Sequence, residues 1–284
     1  MEKEYIDIIH EIEFPKLYKE INLLGNRLTA ISIDYNNYFT KNFFISKNSE
    51  IFSDMCSSLR FRLNCSAFHL ELLCREIDIV EQELYNINKR HFSYLANNSQ
   101  NFNYIFDSII YHVTSLYDYI GSLINFIQER KQEFVKWNSV VKKYQHKKAP
   151  IYTLSYKFHR EFVDNLFKIR SKLIHDKVIL SNTPYYKHYS NTGIKHSFKV
   201  PTPQSILNHF GKLLKLSDSS DISLKYTSFY LIRQTIEYLT EILFELKIHM
   251  EANKETNKLS ITIIEDGKHI SGSKIHWFEH LREK

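Results

Sequence analysis

At 284 residues, with 43% hydrophobic and 25% charged side chains, the chain has the composition of a globular protein with a large core, and one domain is the expected arrangement. A formal charge of +6 and a pI near 8.9 give a mildly basic surface, which attracts polyanions but falls far short of a polybasic tail. No run reaches the roughly 18 consecutive apolar residues of a membrane span, and the opening Met1-Glu2-Lys3-Glu4-Tyr5 lacks the apolar core of a secretory signal, so the cytoplasm is the expected location.

Only 6 Gly and 5 Pro leave few tight turns and few helix breakers, which predicts an all-α protein with long helices. Cys56, Cys65 and Cys74 recur every nine residues, so on one helix successive thiols point to opposite sides, too far apart to bond. They read as reduced core or boundary residues, with no disulfide framework and no zinc knuckle.

Residues 1–48 read as an N-terminal extension that packs on the bundle following it. Residues 4–24 form one or two short helices interrupted at Pro15, and residues 26–45 are apolar without a decided period. From Ser49 to Arg90, Cys56, Leu59, Leu63, Leu70, Leu73, Ile77, Val80, Leu84 and Ile87 fall on one helical face. Asn97-Asn98-Ser99-Gln100-Asn101 reads as a turn. Phe102, Phe106, Ile109, Val113, Leu116, Ile120, Leu123 and Ile127 then alternate by four and three.

That helix is expected to continue through Trp137 to the basic run Lys142, Lys143, His146, Lys147 and Lys148, where Pro150 stops it. The run suits the negative end of a helix dipole as a solvated face, with an RNA-backbone contact as the other reading. A further helix spans Tyr152 to Ile174, with Leu154, Phe158, Phe162, Leu166, Ile169 and Leu173 as its buried stripe. Residues 176–202 keep no period and read as a long connection. A short helix follows over Pro203 to Leu216, and a last long one over Ile222 to Ala252. The four long amphipathic helices of residues 49–253 predict an antiparallel four-helix bundle, and the alternation in residues 254–284 around Asp266-Gly267 predicts a small C-terminal β-hairpin. In that tail His276 and His280 have helical metal-pair spacing, but no third ligand accompanies them and no metal site is expected.

The candidate site lies at the end of the Tyr152 to Ile174 helix, in Lys168-Ile169-Arg170-Ser171-Lys172-Leu173-Ile174-His175-Asp176-Lys177. Arg followed by His after four to six residues is weak by itself. With 10 Arg and 14 His, about 1.5 matches arise by chance, and two are present, Arg170/His175 and Arg62/His69. Context separates them: His175 falls where a helix gives way to a polar loop, whereas His69 sits inside an unbroken helical pattern. Arg170 is one residue, about 100°, off the buried stripe, at the border between core and water. An imidazole with an ordinary pKa near 6.5 can act as base or acid, and a guanidinium fork can hold a phosphate. Ser171 can hold a phosphate oxygen, Asp176 can orient the imidazole, and Lys172 and Lys177 can bind flanking phosphates. The competing structural reading pairs Arg170 with an acidic residue and uses His175 to cap the last carbonyls of its helix.

This order of helices and the Arg-x4-His motif resemble the HEPN superfamily, most closely its long-chain, Cthe-type bacterial group, over roughly residues 50–250. The resemblance implies a bundle that dimerises through its motif-bearing helices and cleaves RNA without a metal or other cofactor, as a toxin or antiviral effector. RNA, a second copy and an antitoxin or regulatory protein would be its partners, with Arg170 and His175 as the catalytic pair. Ser171 stands where the family often has Asn, Asp or His after the motif Arg. Lys177 stands where the branch paired with nucleotidyltransferase antitoxins has a modifiable Tyr, which argues against that form of regulation. An inactive HEPN-like module that binds RNA, nucleotide or protein, and a helical scaffold, are the alternatives.

Overall fold

The computed structural model describes residues 14–39, 47–86, 92–129, 134–175, 185–190, 193–198, 200–214, 222–255, 263–265 and 268–270. These residues are mostly helical, in chain order α1 (Phe14–Phe39), α2 (Lys47–Asn86), α3 (Phe92–Glu129), α4 (Trp137–Tyr144), α5 (Pro150–Phe158), a π-helical turn (His159–Val163), α6 (Asp164–His175), α7 (Gln204–Leu207), α8 (Gly211–Leu214) and α9 (Leu224–Ala252). Strands β1 (Tyr185–Ser190) and β2 (Gly193–Phe198) pair antiparallel between α6 and α7. After α9, β3 (Ile263–Glu265) and β4 (Lys268–Ile270) pair antiparallel with Ile263 opposite Ile270. The Asp266-Gly267 turn, His276 and His280 lie outside the described residues.

Several sequence expectations are corrected. The helix that contains Pro15, α1, is described from Phe14 onward, and residues 4–13, on which an interruption there depends, lie outside the described residues. Residues 26–39, whose period the sequence leaves undecided, belong to that same helix. The predicted turn at 97–101 lies inside α3, because Asn, Ser and Gln cost a helix little when no Gly or Pro accompanies them. At its other end α3 stops at Glu129, and Trp137 opens a separate helix. The long connection of 176–202 holds the β1–β2 pair, and the short helix of 203–216 is two single turns, α7 and α8.

The chain divides into two compact units, and α1, α2, α3, the π-helical turn and α9 each contribute residues to both. The first comprises Met1–Leu17, Leu63–Thr114 and Arg160–Thr235. Its described core contains Leu70, Leu73 and Ile77 of α2, Ile109, Ile110 and Val113 of α3, Leu166 and Ile169 of α6, and Leu231 and Ile232 of α9. Lys225 of α9 bonds Asp78 of α2 at 2.6 Å. The segment before α7 is tied to the start of α9 by the Thr202 N–H donating to the Ile222 carbonyl (2.7 Å), the Leu224 N–H to the Val200 carbonyl (2.8 Å), and a 2.7 Å contact between the Thr202 and Thr227 hydroxyls. Phe162, Phe210 and Tyr230 pack around one another with centroids 5.6 to 6.4 Å apart.

The second unit comprises Tyr18–Arg62, Ser115–His159 and Ile236–Lys284. At its centre Tyr35 of α1 stacks on Phe52 of α2 at 4.3 Å and 10°, and Phe126 of α3 tilts against both. Arg27 of α1 donates to Thr240 Oγ1 of α9 at 2.9 Å, and Phe158 stacks on Tyr238 at 3.9 Å. The helix α4 returns onto α3 through buried polar groups. The Trp137 N–H donates to Asp118 Oδ1 at 3.0 Å and the Val135 N–H to Ser122 Oγ at 3.1 Å. A carboxylate at the start of α4 both satisfies an unbonded N–H and suits the positive end of the helix dipole.

That return requires a glycine. A Cβ on Gly121 would stand 3.0 Å from Trp137 Cα and 3.3 Å from its N, both backbone atoms that cannot rotate away. Gly121→Ala is therefore expected to lower stability by about 1–3 kcal/mol, read as a shifted urea midpoint at constant m-value. An unchanged midpoint would show that α4 can move off α3 without cost.

Candidate functional site

The π turn at His159–Val163 is the local feature that sets up the motif helix. The stripe Leu154, Phe158, Phe162 and Leu166 advances by four residues at each step, and in a regular α-helix each such step drifts about 40°. A wider turn absorbs the drift and keeps Phe158, Phe162 and Leu166 buried. The single predicted helix of Tyr152 to Ile174 is thus α5, the π turn and α6.

Asp164 opens α6 in its first turn and forms a 2.7 Å bridge with Lys168 four residues on. Ile169 and Leu166 are buried, Ser171 and Lys172 exposed, and Arg170 half-buried between them. His175 is the last described residue of the helix. Asp176 and Lys177 lie outside the described residues, and His175 is described by its backbone alone.

Arg170 faces α3. Its Cζ lies 5.3 Å from the centroid of the Tyr111 ring, a cation–π distance. Asp107, one turn before Tyr111, feels the same charge: partial burial raises its carboxyl above the ordinary value, and Arg170 pulls it back. Tyr111 meets His112 edge to face at 5.3 Å, His112 lies against His69 of α2 at 5.1 Å and 35°, and His69 meets Phe68 at 5.5 Å. His69 Nδ1 is 2.7 Å from the Cys65 carbonyl. A carbonyl only accepts, so Nδ1 carries the proton and Nε2 is the basic nitrogen of the neutral ring.

The motif positions divide between two flanks of α6. Five residues turn a helix by about 140° and rise about 7.5 Å, so Arg170 and His175 do not share a face. The Cα of His175 falls instead within about 20° of that of Lys168 and about 60° of that of Lys172. On that flank stands an imidazole that the spacing argument misses, His209, after α7. The Asn165 amide donates to the His209 carbonyl at 2.8 Å and ties its backbone to α6. Burial first, then the charges of Lys172 and Lys168, hold the His209 imidazole below its ordinary pKa, with Asp164 opposing. No sequence signal marks His209, because the proximity is made by the fold.

The second Arg/His match is as its helical context predicts. His69 is inside α2, bonded to the turn before it. The basic run is partly committed to local structure: Lys143 bridges Glu129 at 3.1 Å, and Lys147 lies over the rings of Tyr144 (4.8 Å) and Tyr152 (5.6 Å). Lys142, His146 and Lys148 are exposed.

Among the described residues no group of three or more His, Cys, Asp or Glu is placed to hold a metal ion, and no helix is long and apolar enough to cross a membrane. Comparison with known proteins finds no matching family model, no matching curated protein and no matching solved structure.

Proposed function

We propose that the chain is an endoribonuclease of the HEPN type, with Arg170 and His175 as its catalytic pair. The observation that carries the reading is that Arg170 stands half-buried at the border of core and water on α6, a turn and a half before His175, the last described residue of that helix. Half-burial fixes a guanidinium without removing its charge. The same reading takes α2, α3, α5–α6 and α9 as the antiparallel four-helix bundle of that family and β3–β4 as a C-terminal hairpin. It places the chain in the cytoplasm as a toxin or antiviral effector under an antitoxin or regulatory protein.

In the reaction a 2′-oxygen attacks the adjacent phosphorus while a base takes its proton, the bond from phosphorus to the 5′-oxygen breaks, and an acid protonates that oxygen. The products are a 2′,3′-cyclic phosphate and a 5′-hydroxyl. His175 supplies the base or the acid, and Arg170 neutralises the charge gathering on the phosphoryl oxygens. Lys172, Ser171 and Lys177 hold flanking phosphates, and Asp176 orients the imidazole. Because Arg170 and His175 of one chain stand about 140° apart, a second copy brings its own Arg170 to this His175. Ile174, 65% exposed and one turn beyond Arg170, offers apolar surface for that copy to cover.

The test is cleavage of a mixed RNA in excess EDTA. Wild type is expected to give cyclic-phosphate ends, and His175→Ala to lose about 10²–10⁴-fold in rate. Equal cleavage by both proteins would remove His175 from the reaction, and silence from a folded wild-type dimer would favour the module that binds without cutting.

A further inference from the structure

The exposed face of α3 beside Arg170 carries groups that the cleavage reading does not use. Tyr104, Asp107, Ser108 and Tyr111 recur at three- and four-residue steps, so they share one helical face. Tyr104 is 66% and Tyr111 42% exposed, so both rings present area at the surface. Their Cα atoms are about 10 Å apart along the axis, a separation that two bases of a short extended strand can bridge. Next to Tyr111 is the Arg170 guanidinium, and behind it the buried imidazole of His112 and the half-buried one of His69 close the row. Ser108 donates to the Tyr104 carbonyl at 2.8 Å and so leaves the strip's polar character to Asp107 and Arg170.

The geometry points to a single-stranded RNA-binding strip on α3, in which Tyr104 and Tyr111 stack unpaired bases and Arg170 contacts the phosphate between them. Planar rings at the surface beside a guanidinium recognise a nucleic-acid strand whose bases are free to stack, whereas a duplex keeps its faces internal. This rests on the preceding reading in one respect, that Arg170 meets a phosphate, and it names the form of RNA that reaches the site. Asp107 already shares the charge of Arg170. Binding therefore draws mainly on stacking, and each phosphate contact on a single strand adds about −0.7 to the slope of log K against log salt.

The experiment is fluorescence anisotropy of a labelled 2′-O-methyl 12-mer, which has no nucleophilic 2′-hydroxyl and cannot be cleaved, with its duplex as comparator. Wild type is expected to bind the single strand more tightly than the duplex. Tyr104→Ala and Tyr111→Ala should each weaken binding about tenfold, the scale of one lost base stack, while Tyr111→Trp retains it and shows that a ring, not a hydroxyl, is required. Tyr104 is the more exposed ring, so the thermal melt of Tyr104→Ala should superimpose on wild type. Tyrosine variants that bind unchanged, a preference for duplex, or no binding by wild type would each overturn the strip. If the strand binds and the tyrosines matter but RNA is never cut, the strip stands and the ribonuclease reading falls.

Discussion

A mixture of Arg170→Ala and His175→Ala chains is expected to cleave RNA although neither variant does so alone. The geometry of α6 is the reason: five residues separate the two Cα positions by about 140°, so a phosphate held by Arg170 is not on the His175 flank of the same chain. In a two-fold dimer each site would take the arginine of one copy and the histidine of the other. A mixed dimer then carries one intact site and one site lacking both groups. Random re-association makes half of the dimers mixed, each with one of its two sites working, so the mixture should recover about a quarter of the wild-type rate. Each variant alone should fall by about 10²–10³-fold or more, the usual loss when a charge-stabilising donor or a general base is removed. The measurement is product formation with time after the variants are co-denatured and refolded together, beside each refolded alone. A refolded mixture that forms dimers but stays as slow as its components would show that the two groups do not act across an interface.

The motif also shows which parts of the site were legible from residue order. That His175 lies in the last part of a helix follows from the helical stripe before it, and His175 is the last described residue of α6. The position of Arg170 at the core border follows from one residue's offset, about 100°, from a stripe with helical period. The neighbours of these residues were not legible. Tyr111 and Asp107 reach Arg170 from α3, and His209 reaches Lys172 and Lys168 from a segment more than thirty residues downstream, all through tertiary packing that no local pattern encodes. The π turn had a trace in the sequence, three consecutive four-residue steps from Leu154 to Leu166, which an α-helix can follow only by drifting off its own stripe.

The end of α3 and the character of residues 185–198 were hidden for different reasons. α3 stops short of Trp137 because the chain turns back onto Asp118 and Ser122, so the stop is a long-range capping interaction with no breaker residue. The β1–β2 pair lies in a stretch rich in tyrosine, with Gly193 opening the second strand. Those are strand and turn residues, but its six-residue strands are too short and too polar for their alternation to stand out.

Phe52→Ala is expected to destabilise the second unit strongly, and its effect addresses whether α1 is an accessory or part of the fold. The sequence places residues 1–48 as an extension on a bundle that begins at 49. In the structure Phe52 is fully buried, stacked 4.3 Å from Tyr35 of α1 and packed 6.1 Å from Phe126 of α3. Removing its ring leaves a cavity between three helices that two rigid aromatic neighbours cannot fill by rotating. The cost is about 3–5 kcal/mol, which for a chain of this size lowers Tm by on the order of 10 °C. Tyr35→Ala should cost a similar amount, and the double variant less than the sum of the two, since each removes part of the same contact. If Phe52→Ala and Tyr35→Ala instead melt as wild type does, α1 only rests on the unit and the expectation of an extension stands. A loss of several kcal/mol from both, with coupling between them, makes residues 14–39 a structural element of the fold. Removing α1 would then be expected to unfold the second unit.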